Sequence, residues 1–275
     1  MPTAVPAPRS GHHDPGAPLP IYRVPPARPL GWLALGWRDF LRVPGIGLVH
    51  GAFVAIGGWV VLWVSMRYGL LAPGAYSGFV ILGPILATGL YEASRLIGRG
   101  QRPRLSDAAA AWRRAARPLV GLGILLAVLG TAWVVASALL FGMFAPAPLR
   151  GPLDFLRYAA MEQGNLLFVL WAIVGGMGVA VVFALTVVSP PLLLGRRVGL
   201  RTALLTSVRA VGDNPGTMLV WATVILVATS VSLATGMLGF LVTVPVIGHA
   251  SWYAYRDLVD TRGVPLRDDA DASDG

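Results

Sequence analysis

Two histidines and one glutamate are the residues of this 275-residue chain best placed to do chemistry in apolar surroundings. His50 follows Pro44 by six residues within an uncharged run, and His249 precedes Arg256 by seven in another. At about 1.5 Å per helical residue, each imidazole would sit roughly 10 Å inside the end of its helix. If those helices are neighbours, two imidazoles at one depth could ligate haem iron or another metal. The competing reading is a neutral histidine bonding a carbonyl or hydroxyl of an adjacent helix, and it is favoured because no carboxylate accompanies either residue. Glu92, beside Tyr91, could admit a proton or cation, with Thr88 one turn earlier completing a candidate polar pathway. Pairing of Glu92 with Arg95 at i,i+3 is the structural alternative and the favoured one.

Other chemistry is sparse. There is no cysteine, which removes disulfides, thiolate nucleophiles and Cys-ligated clusters, and all 22 basic residues are arginine, which removes lysine Schiff bases and phosphate-loop lysines. No Gly-rich phosphate loop, metalloprotease histidine pair or nucleophile elbow is present. Ser65 and Ser189 have no local base, and Asp154 ahead of FLRY reads as the cap of a short external helix. Neither an enzyme nor a bound cofactor is expected.

The elements that would position these residues are membrane spans. The chain is 55% hydrophobic and 13% charged, with mean hydropathy +0.67, whereas a soluble domain is about 25% charged. Six uncharged runs approach the roughly 20 residues needed to cross a bilayer: 45–66, 70–91, 119–144, 166–194, 217–235 and 237–255. The break between the last two rests on length and on Gly236 and Gly239, and a single crossing with a re-entrant piece is the alternative. Nineteen of the 22 arginines fall in segments assigned to one side, which places both termini in the cytoplasm of a bacterial inner membrane. The net charge of +9 is spread beside the spans, so nucleic acid is not an expected partner. Residues 1–29, rich in proline, and the acidic 260–275 are expected to be disordered tails around an integral domain at 30–259.

The chain also resembles itself. RPLGWLALGWRDFLRVPG (28–45) lies over RTALLTSVRAVGDNPG (201–216), with Arg38 and Arg209 each six residues before Pro44 and Pro215, and RPRLSDAAAAWRRAARP (102–118) is a looser copy. Each reads as an amphipathic surface helix turning into a span. GPILATGLYEASRLI (83–97) lies over VPVIGHASWYAYRDL (244–258), so Thr88 aligns with His249, and Pro84 and Pro245 each precede an arginine, Arg95 or Arg256, by eleven residues. The predicted fold class is therefore all-α, a polytopic helical bundle of three pseudo-repeats, each a surface helix plus two spans. Arg38, Arg95, Arg209 and Arg256 would be basic anchors facing anionic headgroups, and Trp252, Tyr253 and Tyr255 an interfacial aromatic belt. Ala172, Gly176, Ala180 and Ala184, like Gly47 and Gly51, have the small-xxx-small spacing of close helix contacts, within one chain or between two.

GFVILGPILATGLYEASR, SPPLLL, TALLTSVRAV, NPGTMLVWA and GHASWYAYRDLV, in this order, resemble a family of predicted bacterial integral membrane proteins known as domain of unknown function 2189. The resemblance runs from about residue 30 to 259 and implies a six-span inner-membrane protein, with no activity or ligand to carry over. A non-enzymatic protein that organises, binds or helps assemble membrane components is the expected function, with the bilayer, other membrane proteins or a second copy as partners. A small-solute transporter or channel is the alternative, and a histidine-ligated haem or metal protein a third reading.

Overall fold

The computed structural model describes residues 16–67, 83–114, 116–144 and 166–267. Among them are eleven helices: α1 (Arg28–Arg42), α2 (Pro44–Arg67), α3 (Gly83–Leu86), α4 (Thr88–Gly98), α5 (Leu105–Arg114), α6 (Ala116–Phe144), α7 (Leu166–Thr186), α8 (Ser189–Gly195), α9 (Leu200–Asp213), α10 (Pro215–Ala234) and α11 (Phe240–Leu258). The described residues contain two isolated β-bridges and no strand, so the protein is an all-α membrane helical bundle. Four helical stretches are long and apolar enough to cross a membrane: Pro44–Val64, Arg117–Phe144, Leu166–Gly195 and Pro215–Ala234. The second expected span lies mostly outside the described residues, as does Asp154. The sixth corresponds to α11, whose second half is polar and buried.

Proline sets the corners. A proline cannot donate an amide hydrogen and pushes the preceding residue out of helical geometry, so it ends one helix and starts the next. The residues before Pro44 and Pro215 adopt nearly one backbone conformation, φ −135°, ψ 57° at Val43 and φ −132°, ψ 50° at Asn214. Pro245 instead lies inside α11, which continues through it. Between α10 and α11 the chain turns at Gly236 and Met237, with φ 61° and 71°, and the hydroxyls of Ser232 and Thr243 meet 2.7 Å apart across the turn. Two helices therefore replace the single long crossing.

Lipid supplies no hydrophobic drive between helices, so close backbone approach has to hold them. At α11 this comes from glycine: a Cβ on Gly47 would lie 2.8 Å from Pro245 Cβ, and one on Gly51 2.6 Å from the Phe240 carbonyl oxygen. The small-residue pair on α2 thus packs as expected. The series on α7 makes no such contact with the described residues: Ala172, Gly176 and Ala180 are exposed, Ala184 is half-buried, and a Cβ on Gly176 would meet nothing within 4 Å among them.

The expected tails are shorter than their composition implies. Residues 16–27 lie against the bundle, with Leu19 fully buried and its N–H donating to Thr206 Oγ1 at 2.9 Å. Tyr22 N–H donates to the Leu258 carbonyl, and Asp260 N–H to the Pro20 carbonyl. Beyond α11, Val264 is buried, and Arg267 donates to the carbonyls of Leu193 and Arg196 at 2.7 and 2.9 Å. Proline content disfavours helix and sheet here, but it leaves backbone groups free to bond side chains of the body. The remaining tail residues, 1–15 and 268–275, lie outside the described residues.

Asn214 is the main clamp. Its Oδ1 accepts from Val24 N–H at 2.9 Å, and its Nδ2 donates to the carbonyls of Tyr22 and Ala210 at 3.1 and 3.2 Å. Asn214→Ala is expected to cost about 2–3 kcal/mol, since buried groups left unpaired cost about 1–3 kcal/mol each. Amide exchange should speed up at residues 19–24 before it does in α10; unchanged protection there would show that the strap is held elsewhere.

Candidate functional site

Helices α1, α2, α4 and α11 converge on a buried polar cluster. The buried face of α1 carries Trp32, Gly36, Asp39 and Phe40. Gly36 lets α1 meet α11 so closely that its Cβ would collide with the Val246 carbonyl and lie 2.8 Å from the Ala250 nitrogen. This brings Asp39, fully buried, against α4 and α11. Asp39 Oδ2 accepts the Ser94 hydroxyl at 2.9 Å and the Tyr253 hydroxyl at 2.7 Å. Ser94 Oγ also lies 2.8 Å from His249 Nδ1. Because the one hydroxyl hydrogen of Ser94 is directed to Asp39, the imidazole must donate from Nδ1, which leaves Nε2 as an acceptor. That Nε2 is buried without a hydrogen-bond partner, as is Asp39 Oδ1, which the Arg38 and Arg42 guanidinium groups approach at 3.9 and 4.0 Å.

The chain His249–Ser94–Asp39 does not have the order of a hydrolytic triad. Such a triad needs the serine hydroxyl directed at the imidazole and free to attack a substrate, whereas here serine lies between the two other groups and all three are fully buried. It can tie three helices together and hold a proton. Asp39 was missed because it sits in a basic amphipathic segment that reads as surface, yet it shares the four- and three-residue spacing of Trp32 and Gly36, which was the available signal.

His50 approaches the same cluster from α2. Its Nδ1–H donates to the Ile46 carbonyl at 2.8 Å, while Nε2 abuts the backbone of α4, where any Cβ at position 89 would collide with it. A haem or metal shared by His50 and His249 does not fit this packing: the His50 nitrogen that would ligate it is occupied by Gly89, and among the described residues no three His, Asp or Glu side chains converge.

Glu92 and Arg95 form a buried bidentate pair, both contacts 2.7 Å, with side chains 1% and 9% exposed. Thr88 Oγ1 donates to the Ile85 carbonyl at 2.7 Å. The candidate pathway residues are thus engaged within their own segment. Of the four expected anchors, Arg38, Arg209 and Arg256 are exposed, whereas Arg95 is turned inward by Glu92. The aromatic belt is also corrected. Trp252 and Tyr255 are buried, their rings 5.3 Å apart against Gly195, because α8 and the strap after α11 cover the end of the bundle. Ser189 Oγ donates to the Leu185 carbonyl.

On the other side of α11 lies a cavity of about 220 Å³, walled by α2, α3, α4, α7, α10 and α11 and bounded by Tyr91, Phe183, Trp221, Ile225, Val244 and Gly248 among others. A second, charged cleft of about 540 Å³ lies at the α4–α5 connection, lined by Arg95, Arg99, Arg102 and Arg104 together with Glu92 and Asp107.

Residues 71–195 match the model of a family described as predicted integral membrane protein, DUF2189. The similarity is confined to that segment. It includes α3 to α8, and so Ser94, Glu92 and the arginine cleft, while Asp39, His50 and His249 lie outside it. The match is narrower than the 30–259 of the sequence resemblance; SPPLLL lies within it and GHASWYAYRDLV beyond it. No curated protein and no solved structure matches the chain. The protein is an integral membrane protein of unknown molecular function.

Proposed function

We propose that this protein is a non-enzymatic component of a bacterial inner membrane that binds and organises membrane constituents, with its arginine-bearing helices engaging anionic headgroups on the cytoplasmic side. The observation that carries the reading is the order short amphipathic helix, then long apolar helix, which occurs at α1–α2, α5–α6 and α9–α10. Exposed Arg38, Arg42, Arg113 and Arg209 lie on the short members. Juxtamembrane arginines gain about 1 kcal/mol each near an anionic leaflet. The positive-inside bias supports cytoplasmic termini.

The transporter reading would be favoured by a wet cavity lined by Thr, Ser and Glu92. The hydroxyls lining the 220 Å³ cavity are instead largely spent on their own chain: Thr186 on Val182, Ser251 on Ile247, Thr243 on Gly239 and Tyr91 on Pro84. Glu92 is paired with Arg95 and belongs to the other cleft. A buried water needs two to four polar partners, which this lining hardly offers.

The test is the thermal midpoint of the full chain in nanodiscs of phosphatidylcholine alone and with phosphatidylglycerol added. A clear rise with the anionic lipid, reduced by salt, is expected; equal midpoints would end the reading. In the same nanodiscs, single cysteines introduced at Gly100 and Gly263 of this cysteine-free chain should be labelled from one face only, and labelling from opposite faces would overturn the topology.

A further inference from the structure

Cavity and cleft are lined by successive residues of one helix and its ends. Ala87, just before α4, and Tyr91 within it line the apolar cavity, and Arg95 within α4 and Arg99 just past its end, the next residues at four-residue spacing, line the charged cleft. One helical turn rises about 5.4 Å, so the walls of the two follow each other along one face of α4. Among the described residues the cleft is lined by four guanidinium groups and two carboxylates. Glu92 is taken up by Arg95 at 2.7 Å, and Asp107 Oδ2 accepts the Arg104 backbone N–H at 2.7 Å, so both acids are engaged from within the cleft. Arg102 and Arg104 are exposed. The cavity offers the opposite chemistry: four of its hydroxyls are bonded inside the chain and present mainly carbon, an environment that water leaves and an alkyl chain enters.

An apolar cavity followed along the same helix by a basic cleft matches an amphiphile with a negative head. We infer that the cavity and the arginine cleft together form one binding site for a phospholipid of net negative headgroup, with one acyl chain inserted past Tyr91 into the cavity and the phosphate held by Arg102 and Arg104. Arginine suits the second role, since its planar fork meets phosphate oxygens in pairs. The buried Glu92–Arg95 pair forms the floor between the two halves and orients the cleft without contacting the chain. This inference rests on the proposed engagement of anionic lipid and adds a stoichiometric site to it.

The experiment is native mass spectrometry of the full-length protein in neutral detergent, titrated with phosphatidylglycerol, phosphatidylcholine or the water-soluble glycerophosphoglycerol headgroup. One phosphatidylglycerol per chain is expected to survive activation, at least tenfold more persistent than phosphatidylcholine, while the headgroup alone does not bind. Arg102→Gln with Arg104→Gln should remove the preference for the anionic lipid, and Thr229→Phe, filling the cavity, should reduce retention of any diacyl lipid about tenfold. Thr229→Val, close in shape, serves as the control for folding and should retain the lipid. Binding of the headgroup alone, equal retention of both lipids, or retention untouched by Thr229→Phe would each overturn the site. If the anionic lipid still raised the thermal midpoint in that case, general headgroup engagement would stand and only the built site would fall. Crosslinking of residues 68–82 of the same chain to a photoreactive group at position 229, with lipid excluded, would also overturn it by assigning the cavity a different occupant.

Discussion

Asp39→Ala is expected to destabilise the protein by about 3–5 kcal/mol, the range for removing one partner of a buried charged network. Asp39 is fully buried, and its Oδ2 is the acceptor for both Ser94 and Tyr253. Truncation strands two hydroxyls and, through Ser94, loosens the one anchored nitrogen of His249, whose other nitrogen already has no partner. Each stranded buried group costs about 1–3 kcal/mol. Asp39→Asn separates hydrogen bonding from charge. Its amide oxygen can still accept from Ser94 and Tyr253, while the amide nitrogen faces Arg38 and Arg42 in place of Oδ1. A loss clearly smaller than that of the alanine variant is therefore expected. Thermal unfolding in detergent measures both, with amide exchange in α4 and α11 showing whether the helices separate. An alanine variant as stable as the parent would mean that the relay does not hold the helices together.

That cluster also shows what the sequence could reveal. His249 was legible as an ionisable residue in an apolar run, and its bonding to a neighbouring hydroxyl was the favoured reading; Ser94 provides that hydroxyl. Asp39 was not legible as a buried group, because Arg38 and Arg42 beside it give the segment the composition of a surface helix. What overrides composition is Gly36, which lets the polar side of α1 approach the α11 backbone. The helix–corner–helix order could be read from Pro44 and Pro215, since proline acts locally. The burial of Trp252 and Tyr255 could not, because it depends on α8 and on a strap whose proline-rich and acidic composition suggested disorder. Arg95 lies between these cases: its pairing with Glu92 could be read from the i,i+3 spacing, but not that the pair is buried, which turns the arginine away from the headgroups. The cavity was out of reach altogether, being made by six helices whose walls are distant in sequence.

Gly36→Ala tests the close approach of α1 to α11 with an unusual sign. By helix propensity alone, alanine in a helix interior is better than glycine by about 1 kcal/mol, so an isolated α1 would gain. In the folded protein the added methyl would collide with the Val246 carbonyl and lie 2.8 Å from the Ala250 nitrogen and 2.9 Å from the Ala250 Cβ. Two of these are backbone atoms that cannot rotate away, so α1 must shift from α11 and carry Asp39 with it. Overpacking of this kind costs about 1–3 kcal/mol, and adding the strain on Asp39 and its partners brings the expected net loss to about 3 kcal/mol. Gly31→Ala is the internal control. It lies on the same helix, and its nearest atom is Arg28 Nη1 at 3.7 Å, so the propensity gain should appear undiminished. Opposite signs for the two substitutions, read as thermal midpoints in one detergent, would locate the effect at the helix crossing. A stabilising Gly36→Ala would instead mean that α1 does not sit against α11, and the approach that buries Asp39 would have to be abandoned.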